Sequence, residues 1–372
     1  MSQTSGSPSI RIDLLHSFRV LEADELPTRV LAVGADVDLW SVDEVLADLV
    51  GVPLDDGPAR LVPAGDGRFA LRPAPDTAPF RNAVVARRIG EDLLVALDTC
   101  AALAGVERAE FDYEVAGVVL PAVEFADRSQ ASAWLARHRP LLTAAVRANT
   151  RAGCYALAVA LAARVWSLPP GDAGPAWGSE LSWWSTEAAI EARRPEALAG
   201  LLAASARWFA DAGDFVTAEQ HGIRESRTRR RIGAPDGIAA ALWRRAGIYH
   251  RSGHLHFALD CYRELSADYL ERGDRHGRAR ALAATGVTLL ASGRPNAAAE
   301  RLDQAMRLYD DLPDSSPVER ADVLEDLGRA LWRLGEHGVA LRRLDEALSL
   351  LVDVDDAAAD RVRRLRAGLP ER

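Results

Sequence analysis

The sequence predicts a mainly α-helical repeat array preceded by a small α+β unit. Three observations carry this. Gly213, Gly253, Gly293 and Gly335 recur 40, 40 and 42 residues apart. Each is followed five residues later by an alanine: Ala218, Ala258, Ala298 and Ala340. Apolar and small residues around them keep i, i+4, i+7 spacing, which places them on one helical stripe. Between two helices a glycine supplies the tight turn and an alanine allows a close crossing. Gly153 and Ala158 read as an earlier, more diverged instance.

The first helix of each unit carries Leu282, Gly286 and Leu289, or Leu324, Gly328 and Leu331. The second carries Ala298, Leu302 and Ala305, or Ala340, Leu344 and Ala347. Tetratricopeptide repeats use this scheme with a period of about 34, so each helix here is predicted to be about a turn longer. The expected fold is therefore a tetratricopeptide α-solenoid over 131–372. Its interruption at Pro169, Pro170, Gly174 and Pro175 makes room for an extra helix, roughly 178–193.

Residues 10–75 read differently. A short helix is predicted over 10–21. Ser41 caps another, with Glu44 as its capping-box partner and Val42, Val45, Leu46 and Leu49 as its apolar face. Two short strands, from Arg60 and from Arg68, flank a Gly-rich turn and predict a β-hairpin. Helix, helix, hairpin is the order of a winged-helix unit. Residues 1–9 read as a disordered tail and 76–130 as a helical connector, whose long helix runs over 82–103.

Composition bounds the function. The net charge is −9 over 372 residues, which argues against a nucleic-acid coat. Every fixed cation is arginine, because no lysine occurs; that reads as the coding bias of a GC-rich genome. Cys100, Cys154 and Cys261 are scattered and odd in number, which suits a reducing cytoplasm. No signal-peptide pattern or apolar run long enough to span a membrane is visible.

Between Asp127 and Ala148, Trp134, Leu135, Arg139 and Leu142 resemble the repeat entrance of actinobacterial STAND regulators (signal-transducing ATPases of many domains), in the antibiotic-regulator branch. In that family a P-loop ATPase precedes a winged helix and long tetratricopeptide repeats. A P-loop needs a lysine on the phosphates, and this chain has none. The resemblance thus implies the sensing half alone, which binds an inducer, peptide or partner protein and carries no chemistry.

Candidate site residues were sought on that basis. Arg224, Arg227 and Arg231 fall at i, i+3 and i+7 and would form a guanidinium stripe suited to an anionic ligand, or a solvated face. Trp183, Trp184, Trp208, Trp243, Tyr249 and Tyr262 are either groove anchors or core. Adjacent Trp183 and Trp184 cannot both face one core, so one must point elsewhere. His250, His254, His256 and Cys261 lack the paired cysteines of a zinc site, so no metal or cofactor is expected. No nucleophile with a partnered base is visible, and the helix over 41–50 presents Asp43, Glu44 and Asp48, which phosphates would repel. A non-catalytic cytoplasmic adaptor or sensor that holds a peptide, a protein or a small anionic ligand in the concave groove of the array, in regulation or assembly of a specialised-metabolite pathway, is the expectation. A DNA-binding regulator and an enzyme with an unsignatured groove site stay open beside it.

Overall fold

The computed structural model describes residues 25–27, 60–65, 68–72, 83–106, 125–169, 171, 173–352 and 354–369. Three strands come first: β1 (Glu25–Pro27), β2 (Arg60–Gly65) and β3 (Arg68–Arg72). They form an antiparallel sheet of order β1-β3-β2, with Arg60 opposite Arg72 and an irregularity between Pro63 and Gly65. The predicted hairpin is thus β2–β3. The helices expected over 10–21 and 41–50, the tail over 1–9 and most of the stretch 105–130 lie outside the described residues, so the winged-helix reading rests on sequence.

Thirteen helices follow among the described residues. In the compact unit 1–228 they are α1 (Ala83–Ala104), α2 (Arg128–Arg151), α3 (Tyr155–Ser167), α4 (Pro175–Glu191), α5 (Pro195–Asp211) and most of α6 (Phe215–Ile232). In the unit 229–372 they are α7 (Pro235–Arg251), α8 (Leu255–Glu271), α9 (Arg275–Ala291), α10 (Pro295–Asp310), α11 (Pro317–Arg333), α12 (His337–Leu351) and α13 (Asp356–Ala367). The extra helix required by the sequence spacing is α4.

In the first unit α1 seats on the hairpin α2–α3. Asn149 Nδ2 donates to the Ala86 and Ala145 carbonyls, each at 2.9 Å. A Cβ at Gly90 would lie 2.7 Å from that amide, so only glycine allows this approach. Buried Arg164 of α3 pairs with Asp98 of α1. Asp127 caps α2, its carboxylate accepting from the Gln130 amide at 2.9 Å.

In the second unit each helix packs on the next, and the core is a row of the predicted stripe residues. Leu302, Ala305, Leu344 and Ala347 are fully buried. A Cβ on Gly286 would lie 2.5 Å from Leu302, and one on Gly328 would lie 3.0 Å from Leu344. The glycines in these first helices therefore let the second helices close on them.

Most of the turns from α4 to α10 share one backbone feature. Left-handed residues occur at Arg193, Gly213, Gly233, Gly253, Gly273 and Gly293, at intervals of 20. Helices of about 17 residues plus a three-residue turn make that interval. Schellman bonds close the turns at Gly213, Gly273 and Gly293: the amides of Asp214, Asp274 and Arg294 reach the Phe209, Tyr269 and Leu289 carbonyls at 2.8–2.9 Å. The Gly273 turn, between hairpins, thus has the same structure as the Gly213 and Gly293 turns within them. Arg193 is the exception among them, a side-chain-bearing residue at φ 52 whose successor Arg194 makes the same bond to Ala189 at 3.1 Å.

A left-handed backbone costs a non-glycine residue about 1–2 kcal/mol. Arg193→Gly should therefore raise stability by about 1 kcal/mol. Gly293→Val should lower it by about 1–2 kcal/mol, from strain alone, because open space surrounds its Cβ position at φ 73. Thermal unfolding followed by circular dichroism measures both. A Gly293→Val protein as stable as its parent would show that the turn does not need a left-handed residue.

Candidate functional site

Two neighbouring hairpins of the second unit enclose a pocket of about 400 Å3. Its floor is α9, through Leu282 and Leu289, which are almost fully buried. One wall is α8, with Leu259, Arg263 and Leu270; the other is the start of α10, with Arg294 and Arg301. Leu270 is 56% exposed, a large apolar side chain at the edge of the pocket. The lining thus combines an aliphatic floor with three guanidinium groups, the mixture of apolar surface and few polar anchors found in ligand sites.

The polar groups here are suited to holding rather than transforming. The Thr285 hydroxyl donates to the Ala281 carbonyl at 2.7 Å. Arg263 pairs with Asp260 at 2.7 Å, both exposed, a contact that solvent weakens. Arg301 hydrogen-bonds Gln304 at 3.0 Å. Guanidinium groups stay protonated at any physiological pH, so they bind anions without moving protons.

None of the nine residues singled out from sequence lines this pocket. Arg224, Arg227 and Arg231 are all exposed along α6 as a stripe. Trp208 is 3% exposed, edge-on to Trp166 and Phe209 with centroids at 5.4 and 5.2 Å. Tyr249 and Tyr262 are buried. Trp243 is half-buried, donates from Nε1 to the Tyr269 hydroxyl at 2.9 Å and lies edge-on to Tyr262. These four aromatics fill core. Trp184 packs under the Arg151 guanidinium at 4.9 Å, whereas Trp183 is 65% exposed, so the adjacent pair does split between two environments. The histidines near Gly253 scatter: His250 Nδ1 meets Thr288 Oγ1 at 3.2 Å and His256 lies tilted against the Phe257 ring. Among the described residues no group of three ligating side chains could hold a metal ion.

The pocket residues were hidden from sequence reading by their commonness. Leucine and arginine at helical spacing are what any surface helix offers. Only the fold shows that Arg263 and Arg301, 38 positions apart, line one cavity.

Perturbed titrations lie elsewhere. His221 is buried on α6 in the first unit, with Nδ1 2.8 Å from Ser205 Oγ and Nε2 3.5 Å from Ser182 Oγ. Ser205 Oγ donates to the Leu202 carbonyl at 3.2 Å, so it accepts from Nδ1–H. This is a serine–histidine pair, but both partners are buried and no substrate reaches the hydroxyl. Burial, then the Arg224 cation, lowers the His221 pKa to about 4, with Asp214 opposing. In the second unit burial raises Asp326 to about 6; Arg329 opposes this and Glu325 and Asp322 reinforce it.

The two shifts have opposite consequences for stability. His221 is neutral in the fold and charged when unfolded between about pH 6.5 and 4. Acidification through that window should destabilise the first unit by roughly 3 kcal/mol. Asp326 carries a cost fully present above its folded pKa and relieved as pH falls from about 6 toward 3.8. Asp326→Asn should therefore stabilise the second unit at pH 8 and have no such effect at pH 4, and His221→Gln should flatten the acid loss of the first. Hydrogen exchange resolved by peptide, measured across pH 4–8, follows the two units separately. Equal pH profiles in the parent and the His221→Gln protein would remove the histidine from this account.

Comparison with known proteins accords with the hairpin geometry. Residues 237–311, spanning α7 to α10 and the whole pocket, match the tetratricopeptide repeat family. No curated protein matches the chain. Among solved structures, the nearly identical tetratricopeptide-like repeats of a protein described as a kinesin light chain from Podosopora anserina align at 15% identity and a TM-score of 0.40, over 60% of this chain and 97% of that one. BtubC (BKLC) from P. vanneervenii aligns at 15% identity and a TM-score of 0.41, over 74% of this chain and 94% of that one. Those scores are too low to add to the hairpin geometry itself. The chain is thus a mainly helical protein with tetratricopeptide-like repeats, matched directly over the two hairpins that build the pocket.

Proposed function

We propose that this chain is a non-catalytic adaptor that docks a segment of a protein partner in the pocket between α8 and α10. The observation that carries the reading is an apolar floor rimmed by Arg263, Arg294 and Arg301, inside the residues that match the repeat family. Stacked hairpins present extended surfaces and are used as interaction scaffolds. The pocket lining offers aliphatic, hydroxyl and guanidinium groups, which favours recognition over acid–base chemistry. Among the described residues no helix is long and apolar enough to cross a membrane, and the scattered cysteines support a cytoplasmic setting. Regulation or assembly of a specialised-metabolite pathway is the setting suggested by the resemblance to the STAND regulators.

Docking here has a positional signature. A photo-crosslinking amino acid at Ala297, which lines the pocket, should trap a discrete adduct in cells of the source organism. The same group at exposed Glu300, three residues along α10, should not. Ala267→Trp, which fills the pocket from α8, should abolish the Ala297 adduct while leaving the melting temperature unchanged. Equal trapping at both positions, or indifference to the tryptophan, would move the docking surface elsewhere.

A further inference from the structure

We propose that the docked segment is an acidic amphipathic peptide, with aliphatic side chains on the α9 floor and carboxylates on Arg263, Arg294 and Arg301; this rests on the docking reading above. The charge distribution is the first ground. The chain carries a net charge of −9, yet its pocket is rimmed by cations. Within residues 229–372 arginines commonly find carboxylates: Arg230 on Glu264, Arg272 on Asp236, Arg275 on Asp311, Arg320 on Asp310. Arg294 and Arg301 have no carboxylate partner among the described residues, and Arg301 meets only the neutral Gln304. Arg263 holds Asp260 at the solvent surface, where the exchange of one carboxylate for another costs little. The pocket is thus a place where positive charge is left for a partner to neutralise, and guanidinium forks match carboxylates bidentately.

Shape and apolarity supply the second ground. From Leu259 to Leu270 the α8 wall spans eleven helical steps, about 16 Å at the helical rise. That length exceeds a compact anion and matches about three turns of a bound helix. On the floor Leu282 and Leu289 stand seven residues apart, about 10 Å. A helix with leucines at i, i+3 and i+7 repeats at the same distance, the pattern by which helices seat in grooves. A small inorganic anion would leave the floor and the exposed Leu270 uncovered.

The probe is a fluorescein-labelled peptide of about fourteen residues, with leucine on one helical face and glutamate elsewhere, titrated against the full chain by anisotropy. Saturable binding is expected, weakening as salt screens the charges. Arg294→Glu with Arg301→Glu should weaken it at least tenfold, and Ala267→Trp should remove it. The charge-reversed protein should instead take the peptide with lysine replacing glutamate. Equal affinity of the parent protein for both peptides overturns the acidic class, as does tight binding of decanoate in place of the peptide. A concentration-dependent dimer abolished by Ala267→Trp overturns it in favour of a second copy of the chain. Failure of the glutamate peptide while Ala297 adducts persist refutes the chemistry and leaves the docking reading standing; loss of both refutes both.

Discussion

The left-handed turn residue is the constraint on which the rest depends. Once it recurs every 20 residues, helix length follows at about 17, and with it the phase of every side chain. Counted from the preceding turn residue, the buried positions of these second helices fall at +5, +9, +12 and +16. In α8 these are Ala258, Tyr262, Leu265 and Tyr269; in α10 they are Ala298, Leu302, Ala305 and Tyr309. The first helices, packed between neighbours, bury a wider face, as α9 does through Ala279, Leu282, Gly286 and Leu289. A residue more or less in any turn would rotate the following stripe by about 100° and bury charge.

Where the turns are alike, side-chain size distinguishes a first helix from a second. Second helices carry alanine at +5: Ala218, Ala258, Ala298. First helices carry a small residue at +13: Ala206, Ala246, Gly286. The contact that uses this is Gly286 against Leu302, where a Cβ would sit 2.5 Å from the leucine. Since the left-handed turn serves both within and between hairpins, as at Gly253 and Gly273, a single helix can enter the series without a new turn type. Helix α4 does so: three helices, α3 to α5, separate Gly153 from Gly213, and Arg193 keeps the 20-residue interval with the wrong residue for its φ.

This arithmetic was partly legible in the sequence. Gly213, Gly253, Gly293 and Gly335 announced the hairpins because each is tied to an alanine five residues on. Gly233 and Gly273 have no such partner, so their equal role as turns became visible only through φ. The long helix before the repeats, the hairpin strands and the division between Trp183 and Trp184 were also legible, each from a local rule. What was not legible is burial around aromatic residues. Trp208, Tyr249 and Tyr262 have the chemistry of ligand anchors and of core alike, and sequence contains no depth coordinate. The structure supplies it, and all three belong to the interior.

The arginines show the same gap from the other side. A run such as Arg224, Arg227 and Arg231 draws attention because it lies on one helix, where all three are exposed. Recognition needs cations converging from different elements on a surface that excludes water. Arg263 and Arg301 come from separate hairpins, and Arg294 stands at the turn before α10. Between them lie Leu282 and Leu289, so a partner bound there would meet apolar surface and guanidinium groups together, which the α6 stripe does not offer. A repeat array creates such convergence as a by-product of its period, because side chains about 40 residues apart are brought to equivalent places on neighbouring hairpins. The turn that sets the fold therefore also sets which side chains can act together.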